Sequence, residues 1–167
     1  MKYLLSIINR LERRKHRINR KSIGYKQSFN IAIIYSYESE IKQKFINKFT
    51  KKLEKDDKKV DLYPIVEFVT AENRYLKSFK IKDLNLMGIW KNNNANNLIY
   101  QPYDYLIYTD LVLNQEIENI FIRSLAKCRI GFISDYNYLF EMIIKSNKEY
   151  DIENRLNEMC RYLKMIK

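Results

Sequence analysis

Arginine and lysine recur through the first part of the chain at the spacing of one helix face. Arg10, Arg14, Arg17 and Lys21 stand at i, i+4, i+7 and i+11, with Arg13 and Arg20 flanking them, so a helix here carries a continuous basic ridge. The chemistry this permits is recognition of an anion, not bond making. Planar guanidinium forks match phosphate oxygens, and a row of them gives largely sequence-independent contact with a nucleic-acid backbone. Tyr25 follows closely enough to stack on a base. The competing partner is an anionic membrane surface, with Tyr3, Leu4, Leu5, Ile7 and Ile8 inserted. The plainest reading is a solvated helix whose apolar stripe, Leu4, Ile8, Leu11 and Ile18, packs on its own domain.

Catalytic constellations do not assemble. The single histidine, His16, lies between Lys15 and Arg17, and no serine or carboxylate is spaced to form a triad with it. The three glycines, Gly24, Gly88 and Gly131, are too dispersed for a phosphate-cradling loop or a dinucleotide fingerprint, so no nucleotide cofactor is expected. Cys128 and Cys160 have neither CxxC spacing nor a neighbouring histidine, so no metal site or disulfide framework is expected either. What remains is a candidate ligand crevice. In an open parallel sheet, ligands bind beyond the carboxyl ends of the strands, where this chain places Ser36, Tyr37, Glu38, Thr109, Asp110, Ser134 and Asp135. Ser36, Glu38, Asp110 and Asp135 are the candidates, although such residues also cap helices.

The elements that must position these residues follow from periodicity. Residues 3 to 21 read as an amphipathic helix, stopped by Ser22, Ile23 and Gly24. Phe29 to Tyr35 is a continuous apolar run, the pattern of a strand covered on both faces. Ser36 or Ser39 can cap the next helix, with Ile41, Phe45, Ile46, Phe49 and Leu53 inward. Val60 to Val69 is a second strand, placed on an edge or bulged by Pro64. Residues 72 to 102 are the least regular, with a short helix expected near Glu72 to Phe79 and a surface loop at Asn92 to Asn97. Strands then follow at Tyr103 to Tyr108, Arg129 to Ile133 and Leu139 to Ile144. Asn114 caps an intervening helix, and Ile152, Leu156, Met159, Cys160, Leu163 and Ile166 line a final one. Strands alternating with helices make a three-layer α/β domain of about five mostly parallel strands with helices on both faces.

Length and charge bound this further. At 167 residues, one core is expected. Residues 1 to 26 hold nine Lys/Arg against Glu12 alone, while the remainder is nearly balanced; the chain therefore divides into a basic helical arm, 1–26, and an α/β domain, 27–167. No apolar run reaches membrane-spanning length. The Tyr3 to Ile8 stretch is too short for a secretory signal, so a cytoplasmic location is expected.

Ile81 to Gly88, Gln101 to Ile107 and Leu125 to Phe132, with the Phe29 to Tyr35 strand and its helix, resemble an uncharacterised bacterial domain-of-unknown-function family of small α/β proteins. That resemblance covers nearly the whole chain and implies a fold but no activity. Tyr103 to Phe132 is also similar to the strand, helix, strand and Ile-Gly-Phe segment in the N-terminal half of heptosyltransferase-like glycosyltransferases. This implies a degenerate or partner-completed nucleotide-sugar domain, because such transferases need a second domain for which the chain has no room. The expected function is non-catalytic binding of structured RNA, or of a ribonucleoprotein such as the ribosome, through Arg10, Arg13, Arg14, Arg17, Arg20, Lys21 and Tyr25.

Overall fold

The computed structural model of the chain describes every residue except 1, 17–19, 22, 69, 71, 72, 75, 133 and 146–150. Its elements are α1 (Lys2–Lys15), β1 (Asn30–Ser36), α2 (Glu40–Glu54), β2 (Lys59–Ile65), α3 (Asn93–Tyr100), β3 (Tyr105–Tyr108), α4 (Gln115–Arg123), β4 (Cys128–Gly131), β5 (Met142–Ile143) and α5 (Ile152–Leu163). The strands form one sheet in the order β2-β1-β3-β4-β5, and every pairing is parallel.

Strand alternation sorts the core into two halves. Ile31, Ile33 and Tyr35 of β1, with Tyr105 and Ile107 of β3, point to the face covered by α2 and α5. Ala32, Ile34, Leu106 and Tyr108 point the other way, onto α3 and α4. Both faces of β1 are therefore dry, which explains its unbroken apolar run. Pro64 sits in β2, an edge strand, where its missing N–H costs no inner ladder bond. The caps fall where expected: the Ser39 side chain accepts from the Lys42 N–H, and that of Asn114 from the Ile117 N–H. Of the α2 residues expected inward, Ile46, Phe49 and Leu53 are buried and Phe45 partly so, but Ile41 is 66% exposed, because the first turn of α2 borders the crevice at the strand ends instead of lying over the sheet.

Several boundaries differ from expectation. The Asn92 to Asn97 run is not a loop: Asn92 caps α3, whose Ala95, Leu98 and Ile99 are fully buried. Apolar residues at i, i+3 and i+4 outweigh the poor helix propensity of asparagine once a core accepts them. The strands expected over Val60 to Val69 and Leu139 to Ile144 shorten to Lys59–Ile65 and Met142–Ile143. No helix forms among the described residues between 73 and 79. Ile133, Val69 and Glu72 lie outside the described residues.

Asp104 ties the start of β1 to β3. Its carboxylate accepts from the Phe29 and Asn30 N–H groups at 2.7 and 3.0 Å and from Lys127 at 2.8 Å. Burial pushes its pKa up, but Lys127 and the two amides together hold it below its ordinary value of 3.8. A carboxylate with a lowered folded pKa stabilises above the unfolded value, and that stability is lost as pH falls through the folded one. The melting-temperature gap between wild type and Asp104→Asn should therefore be full at neutral pH and shrink below pH 3.8. A gap independent of pH would contradict this.

Candidate functional site

α1 lies along α4 and is held there by polar contacts. The Asn9 amide donates to the Gln115 carbonyl at 2.8 Å, and its oxygen accepts from Asn119 at 2.9 Å. Asn119 in turn accepts from the Trp90 indole at 3.2 Å. Glu12 faces Arg123 at 3.7 Å and also reaches His16 at 3.1 Å, so a carboxylate one helical turn away does meet the histidine, contrary to expectation. Leu5 is buried, and the Ile8 side chain crosses Gly88 closely enough that a Cβ there would meet it at 2.8 Å.

The inward stripe is consequently not the one expected. Ile8 faces inward as expected, but Leu4 and Leu11 are 46% and 49% exposed, and Leu5, Asn9 and Glu12 turn toward the body in their place. Apolar residues at 4, 5, 7, 8 and 11 give the helix overlapping rows, and the choice between them falls to Asn9 and Glu12, whose partners are on α4. Ile18 lies outside the described residues, and the helix expected over 3 to 21 is assigned to Lys2–Lys15.

This packing divides the basic ridge. Arg10, Arg13, Arg14 and Lys21 are exposed, with the Arg13 guanidinium 4.5 Å over the Tyr138 ring. Arg17 lies outside the described residues. Arg20 turns inward, its side chain only 4% exposed and 3.5 Å from Glu141, donating to the backbone carbonyls of Ala126 and Ser124. Burial and the nearby Arg129 lower its pKa to about 10 against the pull of Glu141, which leaves it charged at neutral pH. Tyr25 is also buried: its hydroxyl donates to Asp56 at 2.8 Å and its carbonyl accepts from Lys58 at 2.7 Å. Burial, then the Asp56 contact, push its pKa up. Its ring face is not presented to a base.

The second surface lies between the carboxyl ends of β1 and β3. β1 leads into α2 on one face of the sheet and β3 into α4 on the other, so the strand order reverses here and the two loops part. They leave a crevice of about 430 Å³ lined by Ser36, Glu38, Ser39, Lys42, Asp110 and Val112, among others. Asp110 accepts from the Ser36 N–H at 2.7 Å and from Lys42 at 2.7 Å, and Lys42 also donates to Glu38 at 2.8 Å. Three of the four candidate crevice residues thus converge. Asp135 does not: it is exposed in the turn Ser134–Tyr136 after β4 and is not part of the crevice lining. Thr109 is buried and its hydroxyl has no partner among the described residues. Lys42 escaped the sequence reading, although its place four residues after Glu38 is the spacing of a helical ion pair.

Together these features describe a doubly wound parallel α/β domain with a crevice at its topological switch point and an extra basic helix laid on α4. The chain belongs to a family of unknown function, DUF6913, whose model matches residues 2–166. No curated protein and no solved structure matches it.

Proposed function

We propose that this is a non-catalytic cytoplasmic binding protein that docks on structured RNA of a ribonucleoprotein, such as the ribosome, through the outer side of α1. The observation that carries the reading is the exposure of Arg10, Arg13 and Arg14 on a helix whose inner side is fastened to α4. Cations held on a rigid body lose less freedom on binding than cations on a flexible tail. Lys21 adds a fourth exposed charge. Contacts of this kind position a protein on phosphates without reading bases.

With about four phosphate contacts, log affinity should fall against log salt with a slope of about −3. Co-sedimentation with purified ribosomes and with protein-free ribosomal RNA measures it, and Arg10→Glu with Arg13→Glu and Arg14→Glu should abolish binding at physiological salt. A flat salt response, or a triple variant that still sediments, would sink the reading. Among the described residues no helix is long and apolar enough to cross a membrane, but Tyr3, Leu4, Ile7 and Leu11 are exposed beside these cations. Vesicles with anionic headgroups are therefore the necessary control, and tighter binding to them than to RNA would transfer the site to a bilayer surface.

A second reading is favoured by the convergence of Ser36, Glu38 and Asp110 at the switch point. In it the chain is a degenerate or partner-completed glycosyltransferase-like domain, and a second chain supplies the other half of the ligand site.

A further inference from the structure

We infer that the switch-point crevice binds a neutral ring compound bearing vicinal hydroxyls, such as a ribose or a sugar, with Glu38 and Lys42 meeting its hydroxyls and the apolar side chains of Ile41 and Val112 covering its ring. This inference rests on the second reading above only in taking the crevice as a ligand site; it is independent of the docking role of α1 and concerns binding alone, with no transfer step.

The charges of the crevice select the ligand. Asp110 has both oxygens engaged, one by the Ser36 N–H and one by Lys42. Lys42 is only 10% exposed in its side chain and is clamped between two carboxylates. An ammonium carries three donors, so one hydrogen remains beyond those two bonds. Glu38 is 67% exposed and uses one oxygen on Lys42, leaving the other able to accept. The lining holds a second cation, Arg155, beside Lys42, so its formal charges cancel against Glu38 and Asp110, and a phosphate placed here would give up its hydration with no net opposite charge to meet. A divalent cation would have to displace Lys42, leaving a buried ammonium without its counter-charges. A neutral ligand meets neither cost, and adjacent hydroxyls on a ring offer what this pair can use: donors to the Glu38 oxygen and an acceptor for the Lys42 hydrogen.

The walls suit the rest of such a molecule. Ile41 and Val112 line the crevice and are 66% and 79% exposed, an arrangement that leaves apolar area to be covered by the C–H face of a ring. The volume of about 430 Å³ is at the smaller end of ligand pockets and admits a nucleoside or a disaccharide.

The test titrates the full chain, labelled with nitrogen-15, with adenosine, its 2′,3′-dideoxy analogue, maltose, inorganic phosphate and magnesium ion. Amide shifts confined to Ser36–Lys42 and Asp110–Val112 with adenosine or maltose, and at least about tenfold weaker with the dideoxy analogue or in Glu38→Gln, are expected. Response to adenosine alone identifies a ribose and response to maltose a free sugar; either supports the inference. Glu38 is exposed, so its substitution should leave the spectrum otherwise folded, and Val112→Asp provides a second variant that should weaken binding at an exposed position. Silence toward both hydroxylated probes at millimolar concentration, shifts elsewhere on the protein, equal binding of the dideoxy analogue, or phosphate or magnesium occupying these amides would each overturn it.

Discussion

Deleting residues 1–24 is expected to lower the unfolding free energy by about 4 to 6 kcal/mol, from roughly 2 kcal/mol for uncovering Leu5 and its surroundings and the loss of charge-assisted bonds made by Arg20. Leu5 is buried against the body, Asn9 completes a chain of amides reaching Trp90, and Arg20 satisfies the carbonyls of Ser124 and Ala126 just before β4. For a domain of ordinary stability this is a large share of the total. Thermal unfolding of the truncated and full chains should differ by about 10 to 20 °C at the scale of a chain this size. A truncated protein melting within about 2 °C of the full chain, well inside that scale, would show that α1 adds nothing to the body. The same truncation should lose ribosome binding, but that result is interpretable only at a temperature where the truncated body is still folded.

Glu141→Ala should destabilise by about 2 to 3 kcal/mol: it removes the counter-charge of two buried arginines, but Glu141 itself is exposed, so the loss falls below the cost of breaking a fully buried pair. Glu141 sits between two arginines. Arg129 donates to it through its backbone N–H at 2.8 Å, Nε at 3.0 Å and Nη2 at 2.6 Å, and the Arg20 Nε lies 3.5 Å away. The Arg129 and Arg20 side chains are 9% and 4% exposed. Without Glu141 they would be neighbouring buried cations lacking their common counter-charge, with Arg129 left on the Phe121 carbonyl at 2.8 Å. Glu141→Gln retains an acceptor and loses the charge, so it should fall between wild type and alanine in urea denaturation. Equal midpoints for all three proteins would mean that the cluster contributes nothing net. Because Arg20 links this cluster to the N-terminal segment, Glu141→Ala should also destabilise the 1–24 deletion less than the full chain, a coupling measurable as a double-mutant cycle.

Much of the candidate site was legible from chain neighbours alone. The apolar run at β1, the 3.6-residue periodicity of α2 beyond Ile41 and of α4 and α5, the capping roles of Ser39 and Asn114, and Pro64 in an edge strand all depend on residues a few positions apart, and each is found in the structure. Alternating strands and helices imply parallel pairing, which in turn puts Ser36, Glu38 and Asp110 at carboxyl strand ends. The concentration of cations before residue 27 is likewise a property of the chain as written. Tertiary structure decided what those residues meet. Pairing of β1 with β3 brought Asp110 onto the Ser36 N–H across 74 positions. Contact with α4 selected the inner side of α1 through Asn9 and Asn119, 110 positions apart, and the carbonyls of Ser124 and Ala126 drew Arg20 inward. A buried core also turned the asparagine run at 92 to 97 into part of a helix. The division has one physical reason: periodicity and capping are settled by backbone geometry within a few residues, whereas a buried polar group is tolerable only if a partner awaits it, and that partner is brought by the fold from a distant part of the chain.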